Sequence, residues 1–327
     1  MNLTAEIQDS KAKLDSNFKL IFGDLPTILT DSTELINLFK SLDYITYDFS
    51  EETEIPPNQS ENVVIIPTIA DNIPPYEEWN RLFKDSRVLT IPLLSFSSEY
   101  NASLYTMKLL ADSDFEYAVK ANEEWIKYMM DIDGPMVFHG ENSNFSCELD
   151  EEDVHVMKPK ISVEIEPGEW ESIGSYFEVG MVPDPEDFRP GFIVNGTLSV
   201  PGVAIAHHRQ IHDNLKPYHA EAWNLFTDLH EEGLFPLKVN IKDSHVQSIL
   251  AGDRDISDKL LEITNKKREL VLTEMAFSTN RGIVPENIDW KINSQLNEGA
   301  LGIHVGIGVG LTGIHIDLIC PDVELQH

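Results

Sequence analysis

Residues 272–280, 301–310 and 313–320 read LTEMAFSTN, LGIHVGIGVG and GIHIDLIC. Each is a short apolar run with one or two metal-binding side chains embedded in it. Glu274, His304, His315 and Asp317 stand where an ordinary core strand carries valine or isoleucine. Burying four such groups is costly unless their charge and dipole are compensated, and a divalent metal is the simplest compensation. In LGIHVGIGVG, Ile303, Val305, Ile307 and Val309 alternate with Gly302, His304, Gly306 and Gly308. Side chains two apart share a face of a strand, so one face is branched and packed while the other is bare except for His304. That bareness leaves room for an ion, a water or a substrate. His315 and Asp317 are also two apart, and give two ligands at close range or one ligand and the carboxylate that orients it. Singly, a buried histidine is a satisfied core residue and a strand glutamate faces solvent. Four together on three successive strand-like segments point to a metal site.

With 327 residues the chain is longer than a typical domain, so two domains are expected. Its 42% hydrophobic content supports a substantial core. The sequence has no run of 18 apolar residues, so no membrane span is expected. The opening MNLTAEIQDSKAKLDS lacks the apolar stretch of a secretory signal. Cys147 and Cys320, both in strand-like surroundings, read as reduced buried thiols of a cytoplasmic protein. Net charge is −32, from 24 basic and 56 acidic residues. That field repels nucleic acid phosphates and anionic lipid, which argues against both as partners. It fits a cationic, neutral or peptide-like substrate.

Residues 1–131 read as an α/β domain with a mainly parallel sheet. Ser32 is placed to cap a helix carrying Leu35, Leu38 and Leu42 on one face. The runs VVIIP (63–67) and VLTIPLL (88–94) are unbroken and apolar, as strands buried on both faces are, with a helix expected between them over Pro75–Lys84. No GxGxxG follows a strand, so dinucleotide binding is unsupported. A long helix is expected over Glu116–Met130, broken by Asp131-Ile132-Asp133-Gly134-Pro135. Residues 132–327 then read as an α+β, strand-rich, metal-binding catalytic domain. A hairpin is expected in GPMVFHGENSNFSCEL, with strands in KISVEIEPGEW, GFIVNGTLSVPG and PLKVNIKDSHVQSILAG, and helices at about 213–232 and 253–267.

Several of these segments, in order, resemble those of the thermophilic aminopeptidases (aminopeptidase T and aminopeptidase S) and of their relatives, the non-haem iron dihydroxypyridine ring-opening dioxygenases. GPMVFHGENSNFSCEL is similar to the family's paired strands. GSYFEVGMVPDPED followed by GFIVNGTLSV resembles its Gly-Glu-Val segment and Val-Asn-Gly strand. LTEMAFSTN, NEGALGIHVGIGVG and IHIDLIC resemble its Ala-Glu-Phe segment, its Gly-Thr-x-His strand and its terminal His-x-Asp strand. Carried over residue by residue, the resemblance implies metal ligands at Glu178, Glu274, His304, His315 and Asp317. The peptidases hold two divalent ions and a bridging water as nucleophile, and close cations lower that water's pKa and polarise the scissile carbonyl. A homodimer formed through the second domain is likewise what the resemblance implies. The chain departs from the peptidase pattern in two ways. Leu311 stands where the peptidases carry a tyrosine, and only ten residues separate His304 from His315. Loss of the phenol removes a candidate stabiliser of the tetrahedral oxyanion. The dioxygenases instead hold one iron by two histidines and an aspartate, with histidine at the Glu274 position and no carboxylate at the Glu178 position, so the ligand types here favour the peptidase-like set.

Between the Glu178 and Glu274 segments, GVAIAHHRQIHDNLKPYHAEAW carries His207, His208, His212 and His219. His208 and His212 share a face if that stretch is helical. A separate metal site is one reading. A polar segment over the active site is the favoured one, with His208, His212 and Arg209 as candidate substrate contacts. Arg189 is a second candidate for a substrate carboxylate. The expected function is a metal-dependent hydrolase of a small peptide or amide-containing metabolite, suited to a specialised biosynthetic tailoring step. One or two ions (zinc, cobalt or manganese) would be held by the five ligands, with Glu178 or Glu274 as general base. The alternatives are an Fe(II) dioxygenase using His304, His315 and Asp317 or Glu274, and a catalytically inactive peptide-binding relative.

Overall fold

The apolar runs of the first half form a five-stranded parallel sheet. Its order is Thr46–Asp48, Thr27–Thr30, Asn62–Ile66, Arg87–Thr90 and Trp170–Ser172. The computed structural model describes residues 3–50, 61–150, 154–183, 191–264, 270–310, 313–321 and 323–326. Val63, Val64, Ile65 and Ile66 are all buried, as an unbroken apolar strand between two layers requires. The run 88–94 stops being strand after Thr90, where Pro92 removes a ladder donor. Ser32 caps the helix Thr33–Ser41, accepting from the Leu35 N–H at 3.3 Å. Helices Tyr76–Leu82 and Phe115–Asp131 lie within two residues of the expected spans. Two further helices, Leu3–Phe22 and Tyr100–Asp112, were not expected. The first is mostly polar and buries only Ile7, Leu14, Phe18, Ile21 and Phe22, so its apolar stripe is faint in sequence.

The second half forms two antiparallel sheets. One has seven strands, in the order Arg254–Asp255, His245–Ala251, Leu237–Lys242, Phe192–Val200, Asn144–Leu149, Met136–His139 and Glu324–Leu325. The other has six, in the order Gly202–Ala206, His315–Cys320, Gly302–Ile307, Leu272–Ser278, Glu178–Val182 and His155–Val156. They share one apolar core, in which Val305, Ile307, Ile316, Leu318 and Phe277 face Phe138, Val194 and Val239. Cys147 and Cys320 are buried thiols in these sheets, and burial pushes the Cys147 thiol up to about 12.

The expected cut between residues 131 and 132 is crossed by the chain. Trp170–Ser172 joins the parallel sheet, and Ile165, Ile173, Tyr176, Phe177, Leu296 and Ala300 pack into the first-half core. KISVEIEPGEW is not a strand before Trp170. Its alternation instead buries Ile165 while Lys160, itself buried, is held by the Glu164 carbonyl and the Glu169 carboxylate, each at 3.0 Å. The helices expected at 213–232 and 253–267 span Lys216–Glu231 and Ser257–Ile263, with 265–269 outside the described residues. His208 and His212 precede the first of these in a stretch of turns, so they do not share a helical face. No helix is long and apolar enough to cross a membrane among the described residues.

Candidate metal centre

Strand alternation sends Glu178, Glu274, His304, His315 and Asp317 to the face of the six-stranded sheet that points away from its apolar core. The pairing register brings them together. Gly306 lies opposite both Glu274 and Asp317, and Ala276 lies opposite both His304 and Gly180. A bulge at Thr273 shifts the ladder just before Glu274. Such irregularities re-aim side chains beside functional sites, and the Thr273 hydroxyl secures this one by donating to the Gly308 carbonyl at 2.6 Å.

The ring of His304 is oriented by a relay. The Ser278 hydroxyl donates to the Glu298 carbonyl at 2.5 Å, so its oxygen is free to accept from His304 Nδ1 at 3.0 Å. His315 Nδ1 lies 3.1 Å from the Gly308 carbonyl, which can only accept. Both imidazoles therefore carry their proton on Nδ1 and present Nε2 to carboxylates. His304 Nε2 is 3.5 Å from Glu178 Oε2 and 3.7 Å from Glu274 Oε1. His315 Nε2 is 3.1 Å from Glu274 Oε2 and 2.8 Å from Asp317 Oδ1. Neither His315 Nε2 nor Asp317 Oδ1 has a hydrogen-bond partner of acceptable geometry, although both are buried.

A nitrogen lone pair facing carboxylate oxygens is repulsive unless a proton or a cation lies between them. Without a cation, the proton takes that place. Burial alone would lower the His304 pKa, but Glu274, Asp317 and Glu178 outweigh it and hold it at about 9. His315 is likewise disfavoured by burial, yet Asp317 and Glu274 raise it well above the ordinary range. Burial would raise Glu274, but the two imidazoles pull it down to about 2. Burial and then the Glu274 charge push Glu178 up to about 8.

The donor set fits divalent ions. The ligand atoms form two groups, Glu178–Glu274–His304 and Glu274–His315–Asp317, each with all atoms within 4.8 Å of one another. Glu274 belongs to both, turning Oε1 toward one histidine and Oε2 toward the other. Two ligands bound at about 2.0–2.1 Å in tetrahedral geometry lie about 3.3 Å apart, and the observed separations of 2.8 to 3.7 Å bracket that value. Neither group contains both imidazoles, so the two-histidine triad of an iron oxygenase is not assembled around one point.

One member of the cluster escaped the sequence reading. Glu298, 6% exposed, is raised well above the usual carboxylate range by burial first and then by Asp317 and Glu178. It lies at the end of the four-residue helix Gln295–Glu298. That helix is tied to the first half of the chain: Tyr105 donates to Asn297 Oδ1 at 2.8 Å, and Thr106 and Ser294 share a hydroxyl contact at 2.9 Å. With Glu298, four carboxylates surround two imidazoles, which balances two divalent ions when the imidazoles are neutral.

The histidine-rich segment follows Ala206, the register partner of His315, and the His208 N–H donates to the Gly310 carbonyl at 2.9 Å. His219 Nε2 contacts the Ile205 carbonyl at 3.1 Å, and burial, then His207, lowers its pKa to about 4. His207 and His219 pack edge to face at 5.0 Å. None of the four histidines joins a group of three ligands among the described residues. His212 is exposed, whereas His208 and Arg209 border a cavity beside the parallel sheet. Arg189 and Leu311 lie outside the described residues.

No curated protein matches this chain. Among solved structures, wild-type AmpT from Thermus thermophilus is similar over 98% of this chain and 95% of its own, at 10% identity and a TM-score of 0.50. That likeness establishes a shared fold. The family model described as crocagin biosynthetic protein CgnE/B matches residues 23–327, and the chain belongs to that family.

Proposed function

We propose that this protein is a metal-dependent hydrolase acting on a small peptide or amide-containing metabolite in a biosynthetic tailoring step. The observation that carries the reading is the pair of ligand groups sharing Glu274, with each histidine's Nε2 turned toward them by its own Nδ1 contact. Glu178, His304 and one oxygen of Glu274 would hold one divalent ion, and His315, Asp317 and the other oxygen a second. Such ions would supply a lowered water pKa and a polarised carbonyl. Glu274 is shared and Glu178 is taken up by the first ion, so Glu298, outside both groups, is the carboxylate left to take and return a proton. The aminopeptidase-like fold and the biosynthetic family support a processing role.

Elemental analysis of the purified protein, followed by titration of the metal-free form with zinc, cobalt or manganese, tests the centre. Mass-spectrometric screening of short peptides and N-acyl amides tests the activity. About two ions per chain, with hydrolysis lost in Glu178→Gln, is the expected result. Failure to bind any divalent ion would leave the inactive peptide-binding reading. Iron binding with oxygen uptake would favour the oxygenase reading.

A further inference from the structure

A cavity of about 280 Å³, lined by none of the candidate ligands, lies at the carboxyl ends of Asn62–Ile66 and Arg87–Thr90. Open parallel sheets bind ligands at that end of their strands. The cavity is flanked by Ile65, Pro67, Pro92 and Leu94 and bordered by Trp79 and Trp170, whose rings lie 6.2 Å apart. Both indole Nε1–H groups are buried without a hydrogen-bond partner. Trp79 is only 5% exposed. Buried tryptophan N–H groups ordinarily find an acceptor, so two orphans beside one cavity call for an explanation.

The mouth adds further donors. His208 Nδ1 accepts the Gln210 N–H at 3.1 Å, which leaves the neutral ring's proton on Nε2. Arg209 beside it carries a positive charge. No described lining residue is acidic, in a chain of net charge −32. Thr90 commits its hydroxyl proton to the Glu171 carbonyl at 3.1 Å. The walls are thus apolar, the polar groups are mostly donors, and nothing among them would balance an ammonium.

We propose that this cavity binds a small monocarboxylate with an apolar body of amino-acid size and no free ammonium, its oxygens received by the indole N–H groups of Trp79 and Trp170 and by the Arg209 guanidinium. The volume lies just under the roughly 300–1,000 Å³ of drug-sized sites, which sets that size. The Arg209 segment follows Ala206, the register partner of His315, so the cavity is reached along the strand that borders the candidate metal centre. The inference stands on the cavity's own residues and holds whether or not the acidic cluster binds a metal.

Calorimetric titration of the metal-free full chain with N-acetyl-L-phenylalanine, its primary amide and free L-phenylalanine tests it. The expected order is the N-acetyl acid first, about tenfold or more ahead of both others. Arg209→Gln, at an exposed position that leaves folding intact, should weaken the acid about tenfold and leave the amide unchanged. In ¹H–¹⁵N spectra, two of the five indole signals should move on binding, assigned by Trp79→Phe and Trp170→Phe. Equal affinity for acid and amide, equal affinity for free phenylalanine, stationary Trp79 and Trp170 signals, or no binding at millimolar acid would each overturn the proposal.

Discussion

Gly306→Ala is the sharpest test of the cluster, because Gly306 sits directly beneath it. A methyl there would stand 2.6 Å from His315 Nε2 and 2.8 Å from Glu274 Cβ, and would also strike His315 Cε1. Ordinary carbon contacts begin near 3.4 Å, so the imidazole must retreat by at least about 0.8 Å. Metal–ligand distances tolerate only about 0.2 Å. Retreat also strains the His315 contact with the Gly308 carbonyl. Divalent-ion affinity should therefore fall by about 100-fold, while overpacking costs about 1–3 kcal/mol of stability. Gly180→Ala is the matched control. Its methyl would meet the tip of Met157, a flexible side chain that can turn aside, and would approach Glu274 Oε1 only to 3.0 Å. Its affinity should fall by less than about tenfold. Competition against a chelating fluorophore reads the affinities, and thermal melts of the metal-free proteins read the folds. Wild-type affinity in Gly306→Ala with unchanged melting would refute the placement of His315 as a ligand.

Four more predictions follow from the same geometry. Metal-free protein should lose stability as pH rises. Histidines with raised folded pKa values stabilise fully below about 6.5 and lose that contribution as pH climbs through about 9, and a Glu178 carboxyl raised to about 8 acts in the same direction. Melting temperature in chelator should drop between pH 6.5 and 9, with divalent ion shrinking the drop; a flat profile would contradict the cluster. Ion binding near pH 8 should release protons, measurable by calorimetry in buffers of different ionisation enthalpy. Ser278→Ala frees the ring of His304 and should weaken ion binding about tenfold to 100-fold, with a modest melting change. Glu298→Gln removes one of four crowded carboxylates, so it should raise metal-free stability while lowering ion affinity; a fall in both would place Glu298 in a purely structural role.

The candidate ligands were legible because strand alternation is a local code. Glu274, His304, His315 and Asp317 each break an apolar run, and period two alone decides that His315 and Asp317 share a face. The glycines of 302–308 were legible for the same reason, and Gly306 is glycine because His315 approaches where a side chain would stand. The histidine-rich segment misled because a four-residue spacing implies a shared face only inside a helix, and this helix begins later, at Lys216. The stretch from Lys160 to Trp170 alternates as a strand does, yet its period serves a buried lysine and a returning loop.

Glu298 shows where local reading ends. In NEGALGIH it looks like a turn acid bound for solvent. The short helix that ends at Glu298 is held from 192 residues away by Tyr105, which donates to Asn297, while Asn293 donates to the Ile205 and Phe96 carbonyls at 2.7 and 3.0 Å. No periodicity encodes those contacts, because they join segments far apart along the chain. The first half of the chain is therefore a structural part of the cluster: it holds the carboxylate that brings the cluster's charge to that of two divalent ions. In the full chain, Tyr105→Phe would keep the five strand-borne carboxylates and imidazoles yet lose the donor that holds Asn297 beside Glu298. Its ion binding should weaken selectively while the antiparallel sheets stay intact.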